Sequence, residues 1–339
     1  MKRKTHRVRT TMLCLAAVLV GLAGVALVGN DFRYVQRAVT IDGPAGRLDG
    51  VLTSPADGPV RGLVLMVHGD GPVDATQGGL YAPWFEAAAD AGYVTLSWSK
   101  PGVGASEGDW LAQSMDDRAE EVGAALDWAH DQGDLPVDTV VLWGASQAGW
   151  VVPKVVAARP DVDAVVAVGT AVSWLRQGRY NLLAELDHRG VDPEERAGAL
   201  ARSDETRALL RRGASFDEYR EQTTDPEPMT AERWGFVLRN VRSDATDDLR
   251  AASARDIPVH LMIGTGDRNV DVDETESAYR EAFGTRLSVE RLRAAHSLAR
   301  PVMEDVPAVG LVTAVVWPRA LLAPGALESY REFLASAAP

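Results

Sequence analysis

The sequence contains little cysteine, histidine and positive charge. Cys14 is the only cysteine among 339 residues, so an intrachain disulfide is impossible. One cysteine and six histidines are too few for a metal-ligand cluster, and the Asp-Val-Asp spacing at 271–273 lacks the rest of a calcium loop. The 48 acidic residues outnumber the 35 basic ones, and the net charge of −13 argues against a nucleic-acid partner.

A dinucleotide-binding fingerprint is missing as well. The segment Gly102-Val103-Gly104 lacks the third glycine and the following helix of that motif. We therefore expect neither a cofactor nor a bound metal. The content of 46% hydrophobic residues is ordinary for a globular protein, and the chain is long enough to bury a sizeable core.

The N-terminus has the pattern of a membrane-targeting segment. Basic residues precede Met12–Val28, an apolar run of 17 residues that would be roughly 25 Å long as a helix, near the lower limit for a membrane span. Basic residues before an apolar run place the N-terminus in the cytoplasm and the remainder outside. The pattern predicts that residues 1–30 are a membrane anchor. A cleaved signal peptide and a secreted protein are the alternative.

Strands and helices alternate along most of the remaining chain. Apolar runs predict strands at 34–41, 47–53, 62–68, 93–98, 139–143, 162–168, 258–263 and 287–292, and helices at 81–91, 115–131, 150–158, 274–283 and 327–335. This alternation implies right-handed crossovers and a mostly parallel sheet with helices on both faces. Turn residues at 42–46 predict an antiparallel hairpin for the first two strands.

One serine lies in a turn of small residues between a predicted strand and a predicted helix. The turn is Gly144-Ala145-Ser146-Gln147-Ala148-Gly149. A serine on such a sharp turn is strained and projects from the C-terminal edge of the sheet, and its close neighbours must be small. The N–H of Gln147 would lie at a helix N-terminus and can point at a developing oxyanion. A structural turn with an incidental serine is the alternative.

This turn resembles the nucleophile elbow of the alpha/beta-hydrolase family, with Ala148 in place of the usual second glycine. The segment His68-Gly69-Asp70-Gly71-Pro72 follows a predicted strand where that family forms its oxyanion loop. The resemblance implies that the backbone N–H groups of Asp70 and Gln147 are the oxyanion donors and that His68 is structural. The loop at 97–108 is similar to the family's Asp-x-Arg-Gly-x-Gly-x-Ser loop, with Lys100-Pro101 replacing the common arginine.

A serine nucleophile needs a base and an acid that orients the base. His296 follows the last predicted strand, where the family carries its base, and Asp267 matches the family's Gly-x-x-Asp-x-x-Val pattern. The chain order Ser, Asp, His is then that of the family. Asp271 and Asp273 are expected at the start of the next helix, where they complement its dipole. His260 lies within an apolar strand and is expected to pack in the core.

The segment Ser173–Arg255 interrupts the alternation. It is polar, contains helical patterns and no good strand, and lies where alpha/beta hydrolases commonly carry a helical cap. We therefore divide the chain into a core at 31–172 and 256–339 and a helical cap, or lid, at 173–255. An accessory helical domain without a role in binding is the alternative. The later apolar stretch Val309–Leu322 is expected to be buried rather than to touch a membrane.

Together these features predict an α/β protein with the alpha/beta-hydrolase fold. The expected function is a serine hydrolase that cleaves a small carboxylic ester or thioester through an acyl-enzyme, with Ser146, His296 and Asp267 as its triad. A serine peptidase of the same fold acting on short peptides is the enzymatic alternative, and a binding protein with inactive chemistry is the other. The expected location is the cell membrane, with the catalytic domain outside the cytoplasm.

Overall fold

The structure is a computed structural model that describes Gly21 and residues 24–337. Most of the predicted anchor or signal peptide at 1–30 therefore lies outside the described residues. Within the described part of the chain, no helix combines the length and the apolar character that crossing a bilayer requires.

The apolar runs form a sheet of eight strands in the order β1-β2-β4-β3-β5-β6-β7-β8. The strands are β1 Tyr34–Gly43, β2 Gly46–Pro55, β3 Gly62–Val67, β4 Tyr93–Trp98, β5 Val140–Ala145, β6 Ala164–Val168, β7 Val259–Gly264 and β8 Leu287–Leu292. The predicted hairpin is confirmed, since β1 pairs antiparallel with β2, and β2 also pairs antiparallel with β4. All other neighbouring strands are parallel. The predicted fold class, a mostly parallel sheet, is confirmed.

The helices are α1 Ala82–Asp90, α2 Met115–Asp131, α3 Val152–Ala158, α4 Trp174–Arg189, α5 Pro193–Arg212, α6 Phe216–Gln222, α7 Ala231–Asn240, α8 Thr246–Ala252, α9 Val272–Phe283, α10 Pro301–Asp305, α11 Pro307–Val316 and α12 Ala326–Ala337. Local signals explain several of these boundaries. Ser114 and Asp117 form a capping box at the start of α2, and Asp271 caps α9 as predicted. The predicted helix at 150–158 begins later, at Val152, because the chain first makes a tight 3₁₀ turn over Ser146–Trp150.

Alternate residues of the central strands face opposite sides of the sheet, and each side is covered by helices. On β3, Leu63 and Leu65 pack in one apolar cluster with α2, α3 and α9, whereas Val64 and Met66 pack in a second cluster with α1 and α12. Burial on both faces explains why the strand sequences are continuous apolar runs rather than alternating ones.

Five helices, α4 to α8, lie between β6 and β7 in the segment that the sequence assigns to the cap. Helices α4, α5 and α7 contribute residues to the cavity beside Ser146, whereas α8 packs against α3.

The predicted burial of Val309–Leu322 is wrong for its helical part. In α11, Leu311, Val312 and Val315 are between 60% and 69% exposed. The apolar composition predicts a core segment, but this helix lies on the outside of the protein, beside the C-terminal edge of the sheet.

Candidate active site

The turn after β5 holds Ser146 in a strained conformation. Its φ is +53°, in the left-handed region that non-glycine residues rarely adopt. A Cβ at Gly144 would lie 2.7 Å from the Val152 side chain, and one at Gly149 would lie 2.6 Å from the carbonyl oxygen of Ala171. Larger residues at these two positions would force the turn open. The small residues around Ser146 therefore allow the close packing that presents its hydroxyl at the sheet edge.

The structure brings Ser146, Asp267 and His296 together. The distance from His296 Nε2 to Ser146 Oγ is 3.0 Å, and the distance from His296 Nδ1 to Asp267 Oδ2 is 2.8 Å. Both are hydrogen-bond distances, so the imidazole bridges the hydroxyl and the carboxylate. Such an arrangement can move a proton from the serine to the imidazole while the carboxylate stabilises the resulting imidazolium.

The Asp267 carboxylate is buried and held in a single orientation. The residue is 4% exposed, and its Oδ1 accepts hydrogen bonds from the backbone N–H groups of Asn269 at 2.7 Å and Val270 at 2.9 Å. The other oxygen remains for His296. Tyr180 of the cap donates its hydroxyl to the Asp267 carbonyl at 2.9 Å, which ties α4 to this loop.

Glu304 of α10 fixes the loop that carries His296. Its Oε1 accepts the backbone N–H of His296 at 3.1 Å, and Arg268 lies 3.2 Å from its other oxygen. Burial raises the pKa of the Glu304 carboxyl more strongly than the nearby Arg268 guanidinium lowers it.

The side chains of Asp70 and Gln147, the two expected oxyanion donors, contact each other. Gln147 Nε2 donates to Asp70 Oδ1 at 3.0 Å. Arg118, a buried residue of α2, donates to Gln147 Oε1 and to the His68 carbonyl, both at 2.7 Å. Arg233 of the cap donates to both Asp70 oxygens, at 3.1 and 2.6 Å. One polar network therefore holds the two loops together.

The backbone N–H groups of Asp70 and Gln147 donate to no other described residue. Unpaired N–H groups beside a serine hydroxyl are suited to hold a negatively charged oxygen. Burial would raise the pKa of the Asp70 carboxyl, but its hydrogen bonds and ion pair with Arg233 outweigh burial, so the pKa lies below its usual value. The Asp70 side chain is thus a stable anion and a firm partner for the network.

His68 and Lys100 support this loop from beneath. His68 is buried, and its Nε2 lies 2.6 Å from the Trp98 carbonyl. Burial, with a smaller contribution from the Lys100 charge, lowers the pKa of His68 to about 3, so the ring is neutral and cannot serve as a titrating base. Lys100 donates to the Gly69 carbonyl from a buried position. Lys100 thus ties its own loop to the one that carries Asp70.

Ser146 and His296 open into a cavity of about 1420 Å³. Part of its apolar lining comes from residues 173–255 and from α11, including Leu175, Leu182, Leu186, Val237, Gly310, Leu311 and Ala314. A cavity of this size can enclose a substrate larger than an acetyl ester. That the cap opens and closes remains a prediction.

Arg118, Arg233 and Glu304 were not singled out by the sequence. A signal existed for Arg118, because it precedes Val122 by four residues and so lies on the apolar face of an amphipathic helix, where a charge needs a partner. Arg233 and Glu304 carried no comparable signal, since their partners come from distant parts of the chain.

His260, expected in the core, is 6% exposed and lies within hydrogen-bond distance of Ser288 and Ser329.

The class of alpha/beta hydrolases is defined by a mostly parallel sheet with a serine on a left-handed turn, a histidine that contacts the serine and an aspartate that contacts the histidine. A family model described as serine aminopeptidase, S33, matches residues 58–298, more than two thirds of the chain. The chain therefore belongs to this family of alpha/beta hydrolases.

Comparisons with individual proteins are consistent with the fold. An esterase of Pyrococcus furiosus is 15% identical with a TM-score of 0.52, covering 83% of this chain and 90% of that one. An acylaminoacyl peptidase of Pyrococcus horikoshii is 12% identical with a TM-score of 0.54, covering 90% of this chain and 42% of that one. An uncharacterized protein of Rickettsia prowazekii is 24% identical over 181 residues, which are 51% of this chain and 72% of the relative.

Proposed function

We propose that the protein is a serine hydrolase that cleaves a carboxylic ester or thioester through an acyl-enzyme on Ser146. The observation that carries this proposal is the continuous hydrogen-bonded series from Ser146 Oγ through His296 to Asp267, with separations of 3.0 and 2.8 Å. The fold alone would not support it, because an alpha/beta-hydrolase fold can be retained without activity.

The reaction follows from these positions. Ser146 Oγ attacks the carbonyl carbon while His296 Nε2 takes its proton, and the carbonyl oxygen becomes an oxyanion between the Asp70 and Gln147 N–H groups. His296 returns the proton to the leaving alcohol or thiol as the carbon–oxygen or carbon–sulfur bond breaks. Water then attacks the acyl-enzyme with His296 again as the base.

The charges in the cavity favour an ester over a free peptide N-terminus. An aminopeptidase must bind a substrate ammonium, which needs a free carboxylate. Five arginines and four carboxylates line the cavity, and three of these carboxylates are paired with arginines in the described structure. These pairs are Asp70 with Arg233, Glu195 with Arg189 and Glu304 with Arg268. The fourth carboxylate, Asp225, already accepts the backbone N–H of Glu227 at 3.0 Å. A serine peptidase acting on short peptides is the second candidate, favoured by the family match.

A fluorophosphonate probe tests the chemistry. We expect the probe to label the protein at Ser146 and Ser146→Ala to abolish labelling. Ser297→Ala is the matched control, because Ser297 also lines the cavity and also has a φ of +53°. Labelling that survives in Ser146→Ala, or a wild-type protein that the probe never labels, would contradict the proposal.

Substrate pairs test the specificity. We expect p-nitrophenyl acyl esters to be cleaved with a kcat/KM at least about a hundredfold higher than that for aminoacyl p-nitroanilides. The reverse order would favour the peptidase. An active-site titration with a slowly deacylating ester would also give a burst of one equivalent if an acyl-enzyme forms.

The basic residues before the apolar run Met12–Val28 support a location at the membrane with the hydrolase domain outside the cytoplasm. Cell fractionation, protease treatment of intact cells and mass spectrometry of the mature N-terminus test this part. Recovery of the full-length protein only in the soluble cytoplasmic fraction would contradict it.

A further inference from the structure

The segment at 302–317, comprising α10, α11 and Trp317, exposes an unusual amount of apolar surface. Thirteen large hydrophobic side chains are exposed in the described part of the chain, and seven of them belong to this segment. They are Val302, Val306, Val309, Leu311, Val312, Val315 and Trp317. Exposed apolar surface concentrated in one place marks an interaction site. We call it the α10–α11 surface.

The central helix of this surface carries no charge. Helix α11 has the sequence Pro-Ala-Val-Gly-Leu-Val-Thr-Ala-Val-Val, without a charged residue. The two acidic residues of α10, Glu304 and Asp305, both pair with Arg268, at 3.2 and 3.1 Å. A protein partner would need polar groups around the rim to pair with its own, whereas hydrocarbon requires their absence.

The α10–α11 surface also continues into the N-terminal apolar run. Asn30 Nδ2 donates to the Val315 carbonyl at 2.9 Å, and Arg319 donates to the carbonyls of Gly29 and Asp31, both at 2.8 Å. Three more of the exposed hydrophobic residues, Val25, Leu27 and Val28, lie at this junction. The run Met12–Val28, with its basic flank, therefore ends beside the C-terminus of α11.

Helix α11 also borders the active-site cavity. Pro307, Gly310, Leu311 and Ala314 line that cavity together with Ser146 and His296. Val312 and Val315 do not line it and face outward. Leu311, which is 69% exposed, belongs to both, so the catalytic cavity borders the exposed apolar surface.

We propose that the α10–α11 surface docks on a phospholipid bilayer and that the cavity takes an acyl ester dissolved in that bilayer. Insertion of Val312 and Val315 among the acyl chains removes their apolar area from water. The ester then enters beside Leu311 without crossing water. The docking part stands independently, whereas the substrate part rests on the proposed serine hydrolase function.

A fluorescent reporter on the full chain tests the docking. An environment-sensitive dye is attached through Val312→Cys, or through Val60→Cys as the control, each in a Cys14→Ser background. Val60 is 47% exposed and lies two residues before β3, at the edge of the sheet where the parallel strands begin. With phosphatidylcholine vesicles we expect the dye at 312 to be quenched by lipid-borne spin labels and shielded from aqueous iodide. The dye at 60 should remain accessible to iodide.

Two results would overturn the docking. One is a dye at 312 that stays as accessible to iodide with vesicles as the dye at 60. The other is a dye at 312 that is shielded before vesicles are added, because residues 1–23 or a second copy of the chain would then cover the surface.

Activity separates the two proposals. Val312→Glu and Val315→Glu should lower hydrolysis of a long-chain ester in vesicles by about tenfold and leave hydrolysis of soluble p-nitrophenyl acetate within twofold of the wild type. Val60→Glu should change neither. Equal rates for wild type and both α11 variants on vesicles would refute the lipid substrate. A wild type inactive on both esters would instead refute the proposed hydrolase function.

Discussion

The network around Asp70 offers a sharp prediction, because the Asp70 carboxylate contacts both Arg233 of α7 and Gln147, the residue after Ser146. Asp70→Ala removes the contacts with Arg233 and with Gln147 Nε2 but keeps the backbone N–H. The side chains of Asp70 and Arg233 are 41% and 32% exposed, so the pair contributes only about 0.5–1 kcal/mol to the free energy of unfolding.

The effect on catalysis should be larger than the effect on stability. Without the carboxylate, the loop at 69–71 can move, and the Asp70 N–H can leave the oxyanion. Losing one such donor costs about 3 kcal/mol in the transition state, which corresponds to about a hundredfold in kcat. KM should change little, because the oxyanion exists only in the transition state and the intermediate. Arg233→Gln, which keeps the contact between Asp70 and Gln147, should lower kcat by about tenfold.

Steady-state kinetics on a soluble ester, with urea denaturation of the same samples, measures both quantities. Asp90→Ala is the matched control. It removes an ion pair in which Asp90 lies 3.2 Å from Arg33, and Asp90 is the last residue of α1, away from the cavity. Asp90→Ala should keep full kcat. A stable Asp70→Ala protein with kcat within twofold of the wild type would refute the network's role in positioning the oxyanion donors.

Three further predictions follow from the structure. Asp267→Asn should lower kcat by about 10³- to 10⁴-fold, measured on the same ester, because an amide cannot stabilise the imidazolium; a loss below tenfold would contradict the triad. Burial lowers the pKa values of His68 and His260 to about 3 and about 4. Both imidazole rings bind protons more readily in the unfolded protein than in the folded one. The free energy of unfolding should therefore be fully retained above about pH 6.5 and fall by several kcal/mol towards pH 4. Urea denaturation across this range checks it, and His68→Gln should show a smaller fall; an unchanged pH dependence would contradict it. Gly149→Ala should lower the free energy of unfolding by about 1–3 kcal/mol and also lower kcat, because its Cβ would lie 2.6 Å from the Ala171 carbonyl oxygen. Thermal denaturation measures the change, and an unchanged Tm would contradict the close packing.

Much of the fold could be predicted from local sequence. The helix at 115–131 and the strand at 93–98 have the predicted boundaries, because caps, turns and apolar periodicity act over a few residues. Candidate site residues could be proposed for a related reason. Parallel strands all end at one edge of the sheet, so Ser146, Asp267 and His296, each following a predicted strand, were expected to meet there.

The supporting contacts were not visible in the sequence. Arg118, Arg233 and Glu304 each bind a partner that is remote in the chain, and Arg233 and Asp70 are separated by 163 positions. Local patterns contain no information on such pairs. The distances among the site residues likewise follow from how the loops pack rather than from any spacing.

The sequence alone determined which segments are apolar, and the tertiary structure decided which of them are buried. Apolar strands such as 140–145 became core because helices pack on both faces of the sheet. The equally apolar helix at 307–316 has no such cover among the described residues and lies at the surface beside the active-site cavity. Hydrophobicity is a property of a segment, whereas burial depends on which neighbours the rest of the chain brings against it.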